Sequence, residues 1–103
     1  MLPPIYDYDR LYREFRWEIP ARYNIGVDVC DRWALRDPDR TAIIHVHGDG
    51  RTEAVSFRTL MLQSNRLANA MRAHGVGRGD RVAILLPQAP EAVVAHIAIY
   101  KLA

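Results

Sequence analysis

Between Ser56 and Pro87 a helical apolar period gives way, across a glycine turn, to an unbroken apolar run, and this change of period constrains the chain more than any other feature. Phe57, Leu60, Met61, Leu67, Ala68 and Met71 recur at helical spacing, with Arg58, Gln63, Arg66, Asn69 and Arg72 on the opposite face, so the segment reads as a half-buried helix. Ser56 stands where an N-cap hydroxyl accepts an otherwise unpaired backbone N–H, and Gly75 where a left-handed residue closes the helix after His74. Gly77-Arg78-Gly79-Asp80 reads as a tight turn in which Asp80 bonds backbone N–H groups. Arg81 to Leu86 follows as a strand expecting cover on both faces. Pro90 suits the first position of a further helix because its missing N–H costs nothing there.

The remaining segments continue the alternation. Asn24 is a good N-cap for a helix to Arg36 that turns Val27, Cys30, Trp33 and Ala34 inward and stops at Asp37-Pro38, since a residue before proline avoids the helical region. Thr41 to His47 and Thr52 to Ser56 are strand-like, and Gly48-Asp49-Gly50 between them signals an antiparallel hairpin. Glu91 to Leu102 is apolar almost all round, with Glu91 near the positive helix end and Lys101 near the negative one. The N-terminal stretch opens with Pro3-Pro4 and Tyr6; Asp7 or Asp9 then caps a short helix placing Tyr8, Leu11, Tyr12 and Phe15 on one face, a stripe read as packing. These elements predict an α/β layer: one β-hairpin, a strand at Val82 to Leu86 in an unfinished βαβ unit, and helices over Asn24 to Arg36, Phe57 to His74 and Glu91 to Leu102.

Several side chains invite a chemical role and receive a plainer one. Cys30 is the only cysteine; nothing nearby in sequence lowers its pKa, so it reads as buried packing and not as a nucleophile, and it can form no internal disulfide. His45 and His47 share a strand face, but zinc wants at least three protein ligands and no third stands at an obvious spacing. The glycines from Gly75 to Gly79 leave a helix C-terminus, whereas phosphate loops lead into a helix N-terminus, so the loop reads as structural. Asn65, at the edge of the apolar stripe, is expected to hydrogen-bond a neighbouring loop. Fourteen basic against twelve acidic residues leave a net charge of +2, which argues for no nucleic-acid partner. The most apolar segment is broken by His96 and Lys101 and is too short for a membrane span, no secretory leader is legible, and a reducing cytoplasm is the expected setting.

The runs S-F-R-T-L, N-R-L-A-N, G-V-G-R-G-D-R-V-A-I and P-Q-A-P-E-A-V-V-A, with D-R-T-A-I-I at Asp39 to Ile44, the G-D-G hairpin and D-R-W-A at Asp31 to Ala34, resemble the opening of the AMP-forming acyl-CoA synthetases. These are acetyl-CoA synthetase-like members of the adenylate-forming enzymes. The resemblance covers Asn24 to Ala103, so residues 1–23 are read as an aromatic and charged extension and residues 24–103 as the truncated start of an AMP-binding domain. One departure is Thr59, where many members carry the glutamate that completes a capping box with Ser56.

What the resemblance implies is a parent enzyme of acid metabolism, including fatty acids. It joins a carboxylic acid to ATP as an acyl-adenylate and passes the acyl group to coenzyme A, with Mg2+ accompanying ATP. The family's phosphate loop, nucleotide contacts, hinge and catalytic lysine fall outside the matched stretch, so no catalytic, cofactor-binding or metal residue is assigned. The chain alone is expected to be inactive, to bind none of these cofactors, to have the remainder of the synthetase as its partner, and to self-associate. The alternative readings are a free-standing interaction module, built on the aromatic N-terminus and the last helix, and a small α/β binding domain.

Overall fold

The computed structural model describes residues 7–103, so the Pro3-Pro4 opening and Tyr6 lie outside the described residues. Its elements run α1 (Tyr8–Glu14), a π-helical turn (Val27–Asp31) leading into α2 (Arg32–Arg36), β1 (Thr41–Val46), β2 (Thr52–Ser56), α3 (Phe57–Ala73) and α4 (Pro90–Leu102). The strands pair antiparallel, and α3 packs against α4 and against the π-helical turn. The α/β class and the hairpin expected from sequence are both present.

Local chemistry explains most boundaries. Asn24 Oδ1 accepts the Val27 N–H at 3.1 Å, and Asp7 accepts the Arg10 N–H at 2.7 Å, so both act as caps. Ser56 Oγ accepts the Thr59 N–H at 3.2 Å, while the Thr59 hydroxyl lies 3.1 Å from it, a hydroxyl pair in place of the usual reciprocal carboxylate. At the other end of α3, Gly75 takes φ +90, its N–H donates to Arg72 O, and Val76 N–H donates to Met71 O, each at 3.0 Å. That paired closure satisfies two helix-end carbonyls and needs the left-handed residue glycine provides. In the hairpin, Gly50 N–H donates to His47 O at 2.9 Å with φ +84, the three-residue loop whose last position is left-handed.

The core forms where Cys30, Leu60, Val94 and Ile97 meet, with Ala42, Ile43, Met61 and Leu67 packed around them. Ala42 and Ile43 are consecutive yet both reach this core because the β1–β2 register shifts between Thr41 and Ile43, a bulge that re-aims one side chain. The polar face of α3 is exposed along Arg58, Gln63, Arg66, Asn69 and Arg72, as its period predicts.

Four expectations about the placement of apolar and aromatic residues differ. Val82 to Leu86 is irregular chain with no strand partner among the described residues, and Leu85 is 99 % exposed; apolar residues mark surface that can be buried, but a strand exists only in a ladder. Val27 is exposed because the π-helical turn winds wider than 3.6 residues, which places Gly26, Cys30 and Ala34 inward at four-residue steps. Trp33 is half-buried outside the core cluster, its ring 6.1 Å from that of Phe57 with Arg40 4.6 Å over its face. Tyr8 and Tyr12 stack on each other at 6.2 Å and are each 76 % exposed, so their stripe packs internally and not against the core.

The molecule is open for its size. Its surface of 8512 Å² exceeds the roughly 5900 Å² expected of a compact monomer of its mass, and its radius of gyration of 16.9 Å exceeds the roughly 13 Å expected.

Candidate functional site

The most concentrated polar chemistry lies inside the helical layer. The Lys101 ammonium, on a side chain only 8 % exposed, sits 2.6 Å from Asp31 Oδ1, and donates to Asn65 Oδ1 at 2.7 Å and Ser64 Oγ at 2.9 Å. The Asp31 approach is charge pairing and not a directed hydrogen bond, since buried Oδ1 meets no donor at hydrogen-bond geometry among the described residues. Ser64 in turn lies 3.1 Å from Met61 O, to which its hydroxyl donates. A buried cation with its acceptors around it is stable where an unpaired one is not.

Sequence reasoning missed this cluster. Lys101 reads as a cation facing the negative helix end, yet its side chain turns inward. Asn65 bonds the α4 lysine and not a loop. One signal was available: Ser64 stands midway between Leu60 and Ala68 on the inward stripe, and α4 carries a lysine on an otherwise apolar surface. Two polar residues at buried positions on neighbouring helices invite pairing.

Cys30 is fully buried in the core, and its burial pushes the thiol up to about 11 from an ordinary 9.0, while Lys101 pulls it down and Asp31 adds to the rise. A thiol held protonated is a poor nucleophile, which agrees with the packing role. His45 and His47 meet edge to face at 4.4 Å, and Glu53 Oε2 lies 3.5 Å from His47 Nε2. Among the described residues no group of three His, Cys, Asp or Glu is placed to hold a metal ion.

The glycine loop is closed on itself. Gly75 and Val76 N–H groups serve the α3 carbonyls, Gly77 N–H donates to Asp80 Oδ2 at 2.8 Å, and Asp80 N–H donates to Gly77 O at 3.2 Å. With these N–H groups engaged, a carboxylate turned into the loop and the loop leaving a helix C-terminus, it does not fit a nucleotide phosphate, which is held by free N–H groups at a helix N-terminus.

A shallow apolar groove runs between Val82 to Gln88 and the outer face of α4, where Val93, His96, Ile99 and Tyr100 line it. Thus α4 has two apolar faces, one buried on α3 and one open. Among the described residues, no helix is long and apolar enough to cross a membrane.

A hairpin backed by helices, with a buried lysine paired between them, defines an α/β scaffold. The chain belongs to the AMP-binding enzyme family, whose model matches residues 30–103. It is 37 % identical over 81 residues to "Acetyl-coenzyme A synthetase" of Laribacter hongkongensis, covering 79 % of this chain and 12 % of that protein. It is 35 % identical over 95 residues to "Acetyl-coenzyme A synthetase 2-like, mitochondrial" of Homo sapiens, covering 91 % of this chain and 14 % of that protein. The solved structure titled "Crystal structure of CmiS6" superposes with a TM-score of 0.67 at 30 % identity, over 85 % of this chain and 22 % of that one. The chain thus spans about an eighth of the length of the curated relatives it matches.

Proposed function

We propose that this chain is the N-terminal scaffold segment of an acid–thiol ligase. The parent activates a carboxylic acid with ATP to an acyl-adenylate and transfers the acyl group to coenzyme A, with Mg2+ accompanying ATP. One observation carries the reading: relatives named acetyl-coenzyme A synthetases align with 79 to 91 % of this chain while the chain spans only 12 to 14 % of them. Residues 24–103 are then the start of the AMP-binding domain, and residues 1–23 an extension preceding it. The remainder of the synthetase is the partner, packing on the open groove between Val82 to Gln88 and α4, and the setting is the cytoplasm. The excess surface of this chain supports that reading, because apolar faces of a larger domain are open in a part of it.

The segment by itself contributes scaffold and no chemistry. Adenylation requires groups that neutralise a triphosphate and position a carboxylate, and the loop at Gly75 to Asp80, which leaves a helix C-terminus and gives its Gly77 N–H to Asp80, supports neither role. Acid-dependent pyrophosphate exchange tests this directly. The purified 103-residue chain is expected to show none, while the polypeptide encoded by the full reading frame, supplied with acetate, ATP, Mg2+ and coenzyme A, forms the thioester. Exchange by the chain alone, or a reading frame that stops after Ala103, would overturn the proposal.

The exposed Tyr8–Tyr12 stack favours a second reading, an interaction module that uses its aromatic end. Removal of residues 1–19 separates the two: a module loses its partner, whereas the ligase segment keeps its fold.

A further inference from the structure

The packing of α4 poses a question that hydrophobic burial alone does not answer. The helix buries Val94, Ala95, Ile97 and Ala98 against α3 and the core, yet Val93, Ile99 and Tyr100 on its other side are also apolar. Burial is non-directional, so turning such a helix about its axis, or sliding it by a turn, exchanges one apolar face for another at little change in area. Something directional must select the observed setting.

We propose that Lys101 is the register lock of α4, with Asp31, Ser64 and Asn65 as its keeper. The partners of the ammonium come from two elements: Asp31 from the π-helical turn as counter-charge, Ser64 and Asn65 from α3 as acceptors, at 2.6, 2.9 and 2.7 Å. Contacts from two directions fix both the rotation of α4 and its height along α3. Turning or sliding α4 carries the ammonium away from Asp31, Ser64 and Asn65 and leaves the buried Asp31 Oδ1 without its cation, which is costly for an ion. A second contact holds the same point: a β-carbon at Gly26 would lie 2.7 Å from Lys101 Cγ and 3.1 Å from Ile97 O, so the lysine stem runs closely under the chain there. Asn24 Nδ2 donates to Lys101 O at 3.4 Å, tying the helix end to the same segment. The π-helical turn contributes by carrying Cys30 into the core and Asp31 onto the lysine in adjacent positions. The lock thereby decides which face of α4 is left open to the groove at Val82 to Gln88.

The lock separates uniqueness from stability, and the test exploits that difference. In the intact chain, Lys101→Met, Asp31→Leu, Ser64→Ala and Asn65→Leu together replace the cluster with apolar side chains. The urea midpoint is expected to hold or rise, as happens when buried ion groups become hydrophobic, while labelling of the buried Cys30 thiol under native conditions accelerates by at least about tenfold. Spin labels at positions 63 and 96, placed in a Cys30→Ala background, should show one distance with the lock and several without it. A single narrow distance together with unchanged thiol labelling in the apolar variant would overturn the proposal. Should the fourfold variant not fold, Asn65→Leu alone decides, compared with the parent chain at urea concentrations of equal global stability: Cys30 labelling raised about threefold or more supports the lock, and unchanged labelling overturns it.

Discussion

Gly26 and Lys101 touch with no room for a side chain between them: a β-carbon at position 26 would come within 2.7 Å of Lys101 Cγ and 3.1 Å of the Lys101 backbone nitrogen. Gly26 has ordinary helical angles, φ −61 and ψ −38, so intrinsic propensity favours alanine there. Packing opposes it. Alanine would gain roughly 0.5 to 1 kcal/mol from propensity and lose about 1 to 3 kcal/mol to overpacking against backbone atoms that cannot swing aside. Gly26→Ala is therefore expected to lower the urea midpoint; a raised midpoint would mean that the helices separate without resistance.

The two ends of α3 can be tested separately. Ser56→Ala removes the acceptor of the Thr59 N–H and should cost about 1 kcal/mol, whereas Ser56→Asp should retain most of it. Equilibrium unfolding of the three chains checks this, and equal stability of all three would remove the cap from the account.

Gly75 and Gly77 lie two residues apart and should respond oppositely to alanine. Gly75 has φ +90, where a β-carbon is strained by about 1 to 2 kcal/mol, so Gly75→Ala destabilises. Gly77 is not among the left-handed glycines and has open space around it, so Gly77→Ala should be neutral or stabilise by up to about 1 kcal/mol. Thermal melts of both variants give the comparison.

Burial raises the Cys30 thiol from 9.0 to about 11, which makes a prediction at alkaline pH. A raised folded pKa means that the contribution to stability is complete below pH 9, where the thiol is protonated in both states. It declines as the unfolded chain ionises first and is lost as pH passes through 11. The readout is the difference between the chain and Cys30→Ala, which isolates the thiol. Unfolding free energy should fall more steeply for the chain than for the variant between pH 9 and 11; parallel slopes would refute it.

The open groove predicts association. Ile84 and Ile99 line it together, and exposed apolar surface of this kind favours a second copy. Light scattering should detect oligomers of the chain, reduced by Ile84→Asp or Ile99→Asp and unaffected by Leu85→Ser, since Leu85 already points into solvent. A monodisperse monomer at all concentrations would show that the groove attracts no copy.

By itself the sequence determined what depends on neighbours along the chain. Ser56, Asn24, Gly50, Gly75, Asp80 and Pro90 act within a turn or two of themselves, so a cap, a left-handed closure or a first-turn proline is legible from residue type and spacing. The inward face of α3 was legible for the same reason, because a regular helix repeats. Tertiary structure alone decided the rest. Val82 to Leu86 carries the composition of a strand, but ladder bonds need another backbone, and no local pattern names one. The wider winding at Val27–Asp31 turned Val27 outward against its apolar character. Lys101 and Asp31, seventy residues apart, became a buried pair only when α4 settled beside the π-helical turn, because a charge shows its partner in space and not in sequence.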